Sequence, residues 1–214
     1  MNREEETAKI LLEAKAVTLS PKEPYTYASG IKSPIYCDNR LLMSFPDKRK
    51  QIVKFFLELI EENNFEFDVL AGTATAGISW AAWLAAKLEK PMAYIRGKSK
   101  GHGKQNQIEG KIKQGQKVLV VEDLISTGGS SVSAIESVRE TGAQVVGCIA
   151  IFTYELEKAK KRFEETDCTI VTLSNFSTLV KVASDIDYIT EEDKEVVLEW
   201  NQAPADWGKK HGFE

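Results

Sequence analysis

Residues 118–131 read VLVVEDLISTGGSS. An apolar run ends in two consecutive acids, Glu122 and Asp123, and soon passes into Ser126, Thr127, Gly128, Gly129 and Ser130. If Val118–Val121 is a buried strand, both carboxylates emerge at its carboxyl end, where ligands bind in parallel α/β sheets. The small residues that follow then open a helix with Val132, Ile135 and Val138 as its apolar positions and Gly142 ending it. Such a helix start offers free backbone N–H groups and a positive dipole end, suited to a dianionic phosphate. Glycine lets the backbone come close, and Ser126, Thr127 and Ser130 add donors. The acids just before the cradle can accept hydrogen bonds from the vicinal hydroxyls of a sugar. One short element would then hold both ends of a ribose 5-phosphate. Two other phosphate patterns fail. No lysine follows Gly128-Gly129, as a Walker A loop requires, and the acids precede the glycines, whereas a dinucleotide fingerprint places its acid about 20 residues after them. A strand end with a capped helix and two solvated acids is the plainer alternative.

Three further stretches carry polar chemistry. Residues 96–110, RGKSKGHGKQNQIEG, place Arg96, Lys98, Lys100, His102 and Lys104 together without an acid before Glu109. The interspersed glycines predict a loop that closes on a polyanion and excludes water, or a solvated basic loop. Residues 71–83, AGTATAGISWAAW, pass from strand to helix through small residues, among them Thr75, that let backbone amides approach an anion. Residues 28–40, ASGIKSPIYCDNR, read alone as an ordinary turn.

These residues need a scaffold. The chain has 214 residues, 43% hydrophobic and 28% charged, as expected of one globular domain. A net charge of −4 argues against bulk nucleic-acid binding. Cys37, Cys148 and Cys168 match no zinc or disulfide spacing, so a cytoplasmic protein is expected. The charged start does not read as a secretory signal, and no apolar run reaches the ~18 residues of a membrane span. Amphipathic helices are predicted over 3–16 and 46–62, with turns or short hairpins between them around Pro21, Pro24 and Pro34. Apolar runs at 67–71, 92–95, 118–121, 145–152 and 169–173 alternate with helical stretches at 78–89, 130–141 and 155–165. That alternation predicts a doubly wound α/β fold, a mostly parallel sheet flanked by helices. We expect a single domain with its core at about 65–175 and a small hood from about 1–64 and 176–214. Helix 190–201 would dock in that hood. Trp80, Trp83 and Trp200 read as core or interface, while Trp207 and His211 fall in a polar tail expected to be partly ordered.

Residues 118–130 resemble, without a gap, the phosphoribosyl-diphosphate (PRPP) signature of type I phosphoribosyltransferases: four apolar residues, two acids, then a Thr/Ser-Gly-rich phosphate loop. Residues 96–103 are similar to the catalytic loop R-K-E-x-K-x-H-G of the orotate phosphoribosyltransferases. Arg96, Lys100, His102 and Gly103 match; Gly97 and Lys98 depart from it and displace one lysine by a position. Residues 28–40 resemble that family's S-G-x-x-S-P-x-[YF] segment, although Ala28 replaces its usual preceding lysine. Ala76 and Tyr154 stand where many or some members have a lysine and an arginine, respectively. The four motifs occur in family order over about residues 20–155.

The resemblance implies transfer of the phosphoribosyl group from PRPP to orotate, giving orotidine 5′-monophosphate and pyrophosphate with Mg²⁺ as cofactor. It implies that Glu122, Asp123, Ser126, Thr127, Gly128, Gly129, Ser130, Thr75, Arg96, Lys100 and His102 bind PRPP. Lys32, Tyr36, Cys37, Ser126 and Tyr154 would take orotate, with Tyr36 and Cys37 acting partly through backbone groups and Arg40 able to add positive charge. Arg96, Lys98, Lys100, His102 and Asp123 would be catalytic. Mg²⁺ would arrive through PRPP, with no ligand directly from the protein and Glu122 and Asp123 nearby. The resemblance further implies a homodimer that shares the catalytic loop across subunits, with neither nucleic acid nor membrane as partner. A purine or uracil phosphoribosyltransferase, or a PRPP-sensing regulator of the same fold, are the competing readings.

Overall fold

Val- and Ile-rich runs separated by helices bury both faces of the sheet they form, and this sets the architecture. The structure, a computed structural model, describes residues 1–97 and 107–213. In chain order the elements are α1 (Arg3–Glu13), β1 (Val17–Leu19), β2 (Tyr25–Thr26), β3 (Lys32–Ser33), β4 (Ile35–Cys37), a 3₁₀ turn (Asn39–Ser44) and α2 (Pro46–Glu62). Then follow β5 (Val69–Thr73), α3 (Gly77–Leu88), β6 (Met92–Ile95), β7 (Ile108–Glu109), β8 (Lys117–Val121), β9 (Leu124–Ile125) and α4 (Gly129–Arg139). The chain continues through β10 (Gln144–Thr153), α5 (Glu157–Glu165), β11 (Ile170–Asn175), α6 (Phe176–Asp185), α7 (Glu191–Gln202) and α8 (Pro204–Lys210).

Among the described residues the main sheet has the order β11-β10-β8-β5-β6-β7, with β9 added beside β10. All its pairings are parallel except β6 with β7. This is the doubly wound, mostly parallel sheet expected from the sequence. Val69 to Gly72 register with Val118 to Val121, so β5 and β8 end side by side. The strand β5 runs two residues past the expected Ala71, through Gly72 and Thr73, and all five of its residues are buried. Gly72 extends the strand because a Cβ there would meet Gly77 O at 2.8 Å; only a glycine lets α3 lie this close. Among the described residues no helix is long and apolar enough to cross a membrane.

The helices α1 and α2 pack against β11, with α1 also on α6 and α2 on α3. Two small antiparallel pairs, β1 with β4 and β2 with β3, carry residues 17–37. Tyr27, at the tip of the second pair, donates from its hydroxyl to Ile35 O at 2.7 Å, and that hydroxyl lies 3.3 Å from the Tyr154 hydroxyl. Tyr154 in turn meets Trp200 of α7 edge-on at 5.5 Å. An aromatic chain thus ties residues 25–37 to the end of β10 and to the C-terminal helices.

The tail departs from the sequence-based expectation. Trp207 is only 2% exposed, and its indole N–H donates to Val196 O at 2.8 Å. Its ring stacks on Phe213 at 5.5 Å and lies 4.9 Å from His211. Pro204 starts α8 without needing an N–H partner, and α8 lies on β3. Polar residues around a single tryptophan hid a docking helix with one apolar anchor. Trp207→Ala is expected to lower stability by about 3–5 kcal/mol, read as a fall in the unfolding midpoint. An unchanged midpoint would show that α8 does not anchor on this ring.

Candidate active site

The carboxyl ends of β5 and β8 feed two neighbouring helices, and neither helix caps itself. Ala76 and Gly128, the residues before α3 and α4, make no side-chain cap hydrogen bond, and neither first turn carries an acid. By contrast α1, α6 and α7 are capped by Asn2, Asn175 and Thr190. Apart from Ile78, whose N–H reaches Thr75 O at 3.4 Å, the first N–H groups of α3 and α4 have no side-chain cap to occupy them, and the two dipole ends add positive potential. Gly128 is required on two counts. Its φ of +75° is left-handed, and a Cβ would stand 3.2 Å from the Phe163 ring of α5. At Gly77 a Cβ would lie 2.4 Å from Val121 O, so glycine alone lets α3 start against the end of β8.

The turn at 126–129 is steadied from outside by a residue that the sequence reading missed. Arg162 of α5 donates to Thr127 O at 2.8 Å and reaches the Thr127 hydroxyl at 3.3 Å. The pattern of α5 alone marks Arg162 as a surface charge, so no sequence signal singles it out. Thr127, Gly129 and Ser130 remain exposed and Ser126 half-buried on this loop.

The two acids are not equivalent. Glu122 is buried, with one oxygen taking the Asp123 N–H at 3.1 Å. The other takes the hydroxyls of Ser131 at 3.2 Å and Ser130 at 3.4 Å. As placed, Glu122 fastens the first turn of α4 to β8. Asp123 is half-buried. Burial and the neighbouring Asp123 charge push Glu122 up to about 8, and burial raises Asp123 as well. Segment 36–39 abuts this pair. Asn39 donates from Nδ2 to Asp123 O at 2.8 Å, and burial and the charges of Asp123 and Asp38 raise the Cys37 thiol. Tyr36 is 44% exposed beside them.

Thr75 and Arg96 share an open cleft of about 670 Å³ with Ala74, Ile78, Tyr94, Gly97 and Glu109. Arg96 pairs with Glu109 at 3.3 Å, and its backbone N–H donates to Gln107 O at 2.8 Å. Lys98, Lys100 and His102 lie outside the described residues. Arg40 makes a bidentate pair with Asp38, at 2.6 and 2.8 Å.

Of the residues expected at the base, Tyr154 is turned inward and Lys32 lies along the hood. Tyr154 is 3% exposed, with its hydroxyl engaged by Tyr27 and its ring packed on Phe152 and Trp200. It anchors the hood to the core where the resemblance suggested a ligand to orotate. A tyrosine in place of arginine turns inward because its ring is best buried among aromatics. Lys32 extends along the β2–β3 hairpin, donates to Thr26 Oγ1 at 3.1 Å, and lies against Gly208 of α8.

Fold and site together define a phosphoribosyltransferase, and a phosphoribosyl transferase domain model matches residues 46–187. An orotate phosphoribosyltransferase of Coxiella burnetii is 55% identical over 207 residues, spanning 97% of this chain and 99% of that protein. The chain belongs to the orotate phosphoribosyltransferase family. One from Listeria innocua is 56% identical over 209 residues, covering 98% of this chain and 100% of the relative. A crystal structure of orotate phosphoribosyltransferase from Aeropyrum pernix superposes with a TM-score of 0.74 at 28% identity, covering 86% of this chain and 99% of that one.

The burial of Glu122 has a measurable consequence. An acid held above its ordinary value of 4.5 keeps its proton more firmly in the folded chain, so its contribution to stability falls as pH rises from 4.5 to about 8. Glu122→Gln removes the charge. Its unfolding midpoint, relative to the unsubstituted chain, should therefore rise between about pH 5 and about pH 8. The same difference at both pH values would place the buried proton elsewhere.

Proposed function

We infer that this chain transfers the 5-phosphoribosyl group from PRPP to orotate, forming orotidine 5′-monophosphate and pyrophosphate. The observation that carries the reading is the pair of uncapped helix starts at the ends of β5 and β8, with Asp123 just past the end of β8 and segment 36–39 against it. The N–H groups of Gly128, Gly129 and Ser130, with the Thr127 hydroxyl, would take the 5′-phosphate at the start of α4. The small residues from Thr75 to Gly77, at the start of α3, would take the pyrophosphate, with Arg96 supplying charge from the same cleft.

Breaking the anomeric C–O bond leaves positive charge on the ribose and negative charge on the pyrophosphate. Asp123 holds the ribose hydroxyls and supports the developing cation. Arg96, Lys98, Lys100 and His102 would balance the charge of the leaving group. Backbone groups at Tyr36 and Cys37 orient the pyrimidine. With Tyr154 turned into the aromatic stack, positive charge for the orotate carboxylate falls to Lys32 or Arg40. Glu122 is taken up by Ser130, Ser131 and the Asp123 N–H, so Mg²⁺, a hard cation, would be held by the phosphates of PRPP with the Asp123 carboxylate nearby. When bound, Mg²⁺ would neutralise charge on the pyrophosphate. Among the described residues no cluster of three or more His, Cys, Asp or Glu could hold a metal. The enzyme would act in the cytoplasm as a homodimer, each loop serving the neighbouring site.

The test is the absorbance change of orotate on adding PRPP and Mg²⁺, with uracil, adenine, hypoxanthine and guanine in parallel. Consumption of orotate alone is expected. Turnover of another base would keep the PRPP site and overturn the assignment of residues 28–40. Lys100→Ala should lower kcat at least about tenfold with the fold intact, since one charged contact to a transition state contributes on the order of 3 kcal/mol. An unchanged kcat at saturating PRPP would remove Lys100 from the mechanism.

A further inference from the structure

We propose that Asn39 is a positioning residue that sets the base-holding segment against the acid that holds the ribose. The proposal rests on the roles inferred above for residues 36–37 and Asp123. Asn39 opens the 3₁₀ turn after β4 and is 1% exposed. Its Nδ2 donates to Asp123 O at 2.8 Å across 84 residues of sequence. Only the amide nitrogen can serve here, since a carbonyl accepts and does not donate.

The same Asp123 carbonyl accepts the N–H of Phe152 at 3.2 Å. One peptide group is therefore gripped from the sheet by β10 and from the hood by Asn39. The grip fixes the peptide plane next to Asp123, and with it the point from which that side chain leaves the backbone. At its other end, Asn39 follows directly on Cys37 and Asp38 in the chain. The residue thus joins the two halves of the site through one side chain.

Its cost is visible. Asn39 Oδ1 is buried and has no hydrogen-bond partner. A leucine of similar size would fill the same space without burying an unmet acceptor. Packing alone therefore gives no reason for an amide here, and the bond from Nδ2 does. Transfer between two held substrates depends on reacting atoms within about 3–3.5 Å, where a misplacement of about 1 Å can cost about 10²-fold in rate. A link between the base segment and the ribose acid acts on that distance, so its loss should appear in kcat before it appears in binding.

The experiment is steady-state kinetics and thermal unfolding of Asn39→Leu and Asn39→Ala, each alone and combined with Asp123→Asn. Asn39→Leu is expected to unfold at or above the temperature of the unsubstituted chain and to lose at least about tenfold in kcat, with either KM changed less than about threefold. Asn39→Ala should lose a similar factor in kcat whatever its stability. Because Asn39 acts through Asp123, adding either substitution to Asp123→Asn should change kcat less than about threefold. A folded Asn39→Leu with unchanged kcat would overturn the proposal alone, as would a full additional loss in the Asp123→Asn background. If Asp123→Asn itself uses PRPP normally, the proposal falls together with the reading of the site beneath it.

Discussion

The close approach of α3 to the ends of β5 and β8 is the constraint on which the rest of the site depends. Gly72 and Gly77 permit it, because a Cβ at either would stand within 3 Å of backbone atoms. With α3 seated this low, its first turn opens beside that of α4 at the ends of adjacent parallel strands. Two positive helix ends then converge on one small region, and each also presents free N–H donors. Glu122 beneath α4 and Arg162 outside the Thr127 loop hold that arrangement from within and without. The geometry belongs to the scaffold before any ligand arrives, which is the condition under which fixed dipoles stabilise developing charge well.

The hood is attached differently. Residues 17–37 form two antiparallel strand pairs, three and two residues long, that do not join the main sheet. Their hold on the core runs through Tyr27, Tyr154 and Trp200, and through α8 lying on β3. Aromatic rings suit this task because each combines a large buried surface with a polar edge that can find a partner. Tyr154 shows the trade. Once its ring is committed to that stack, its hydroxyl is taken up by Tyr27.

Much of this was legible in the sequence. Strong β-formers in short runs marked the parallel strands, and the Glu122–Ser130 pattern located the loop at the end of β8. The ends of elements were less legible: β5 reaches Thr73 because Gly72 is excluded from the loop by packing against α3, a tertiary contact with no local signal. The helix α6 was not foreseen, and α8 was read as a tail because Trp207 is its one large buried residue. Arg162 and Asn39 were missed for a common reason. Each acts on a residue far along the chain, at Thr127 and Asp123, and a single sequence carries no trace of such pairs.

The absence of side-chain caps on α3 and α4 also bears on how such a site can change over time. In the proposed reading the phosphate contacts come largely from main-chain N–H groups, which no substitution except proline deletes. Point mutation can reshape the hood, whose contacts are side chains, while the phosphate grip persists. A scaffold built in this way keeps its sugar-phosphate substrate fixed and leaves the acceptor base open to selection.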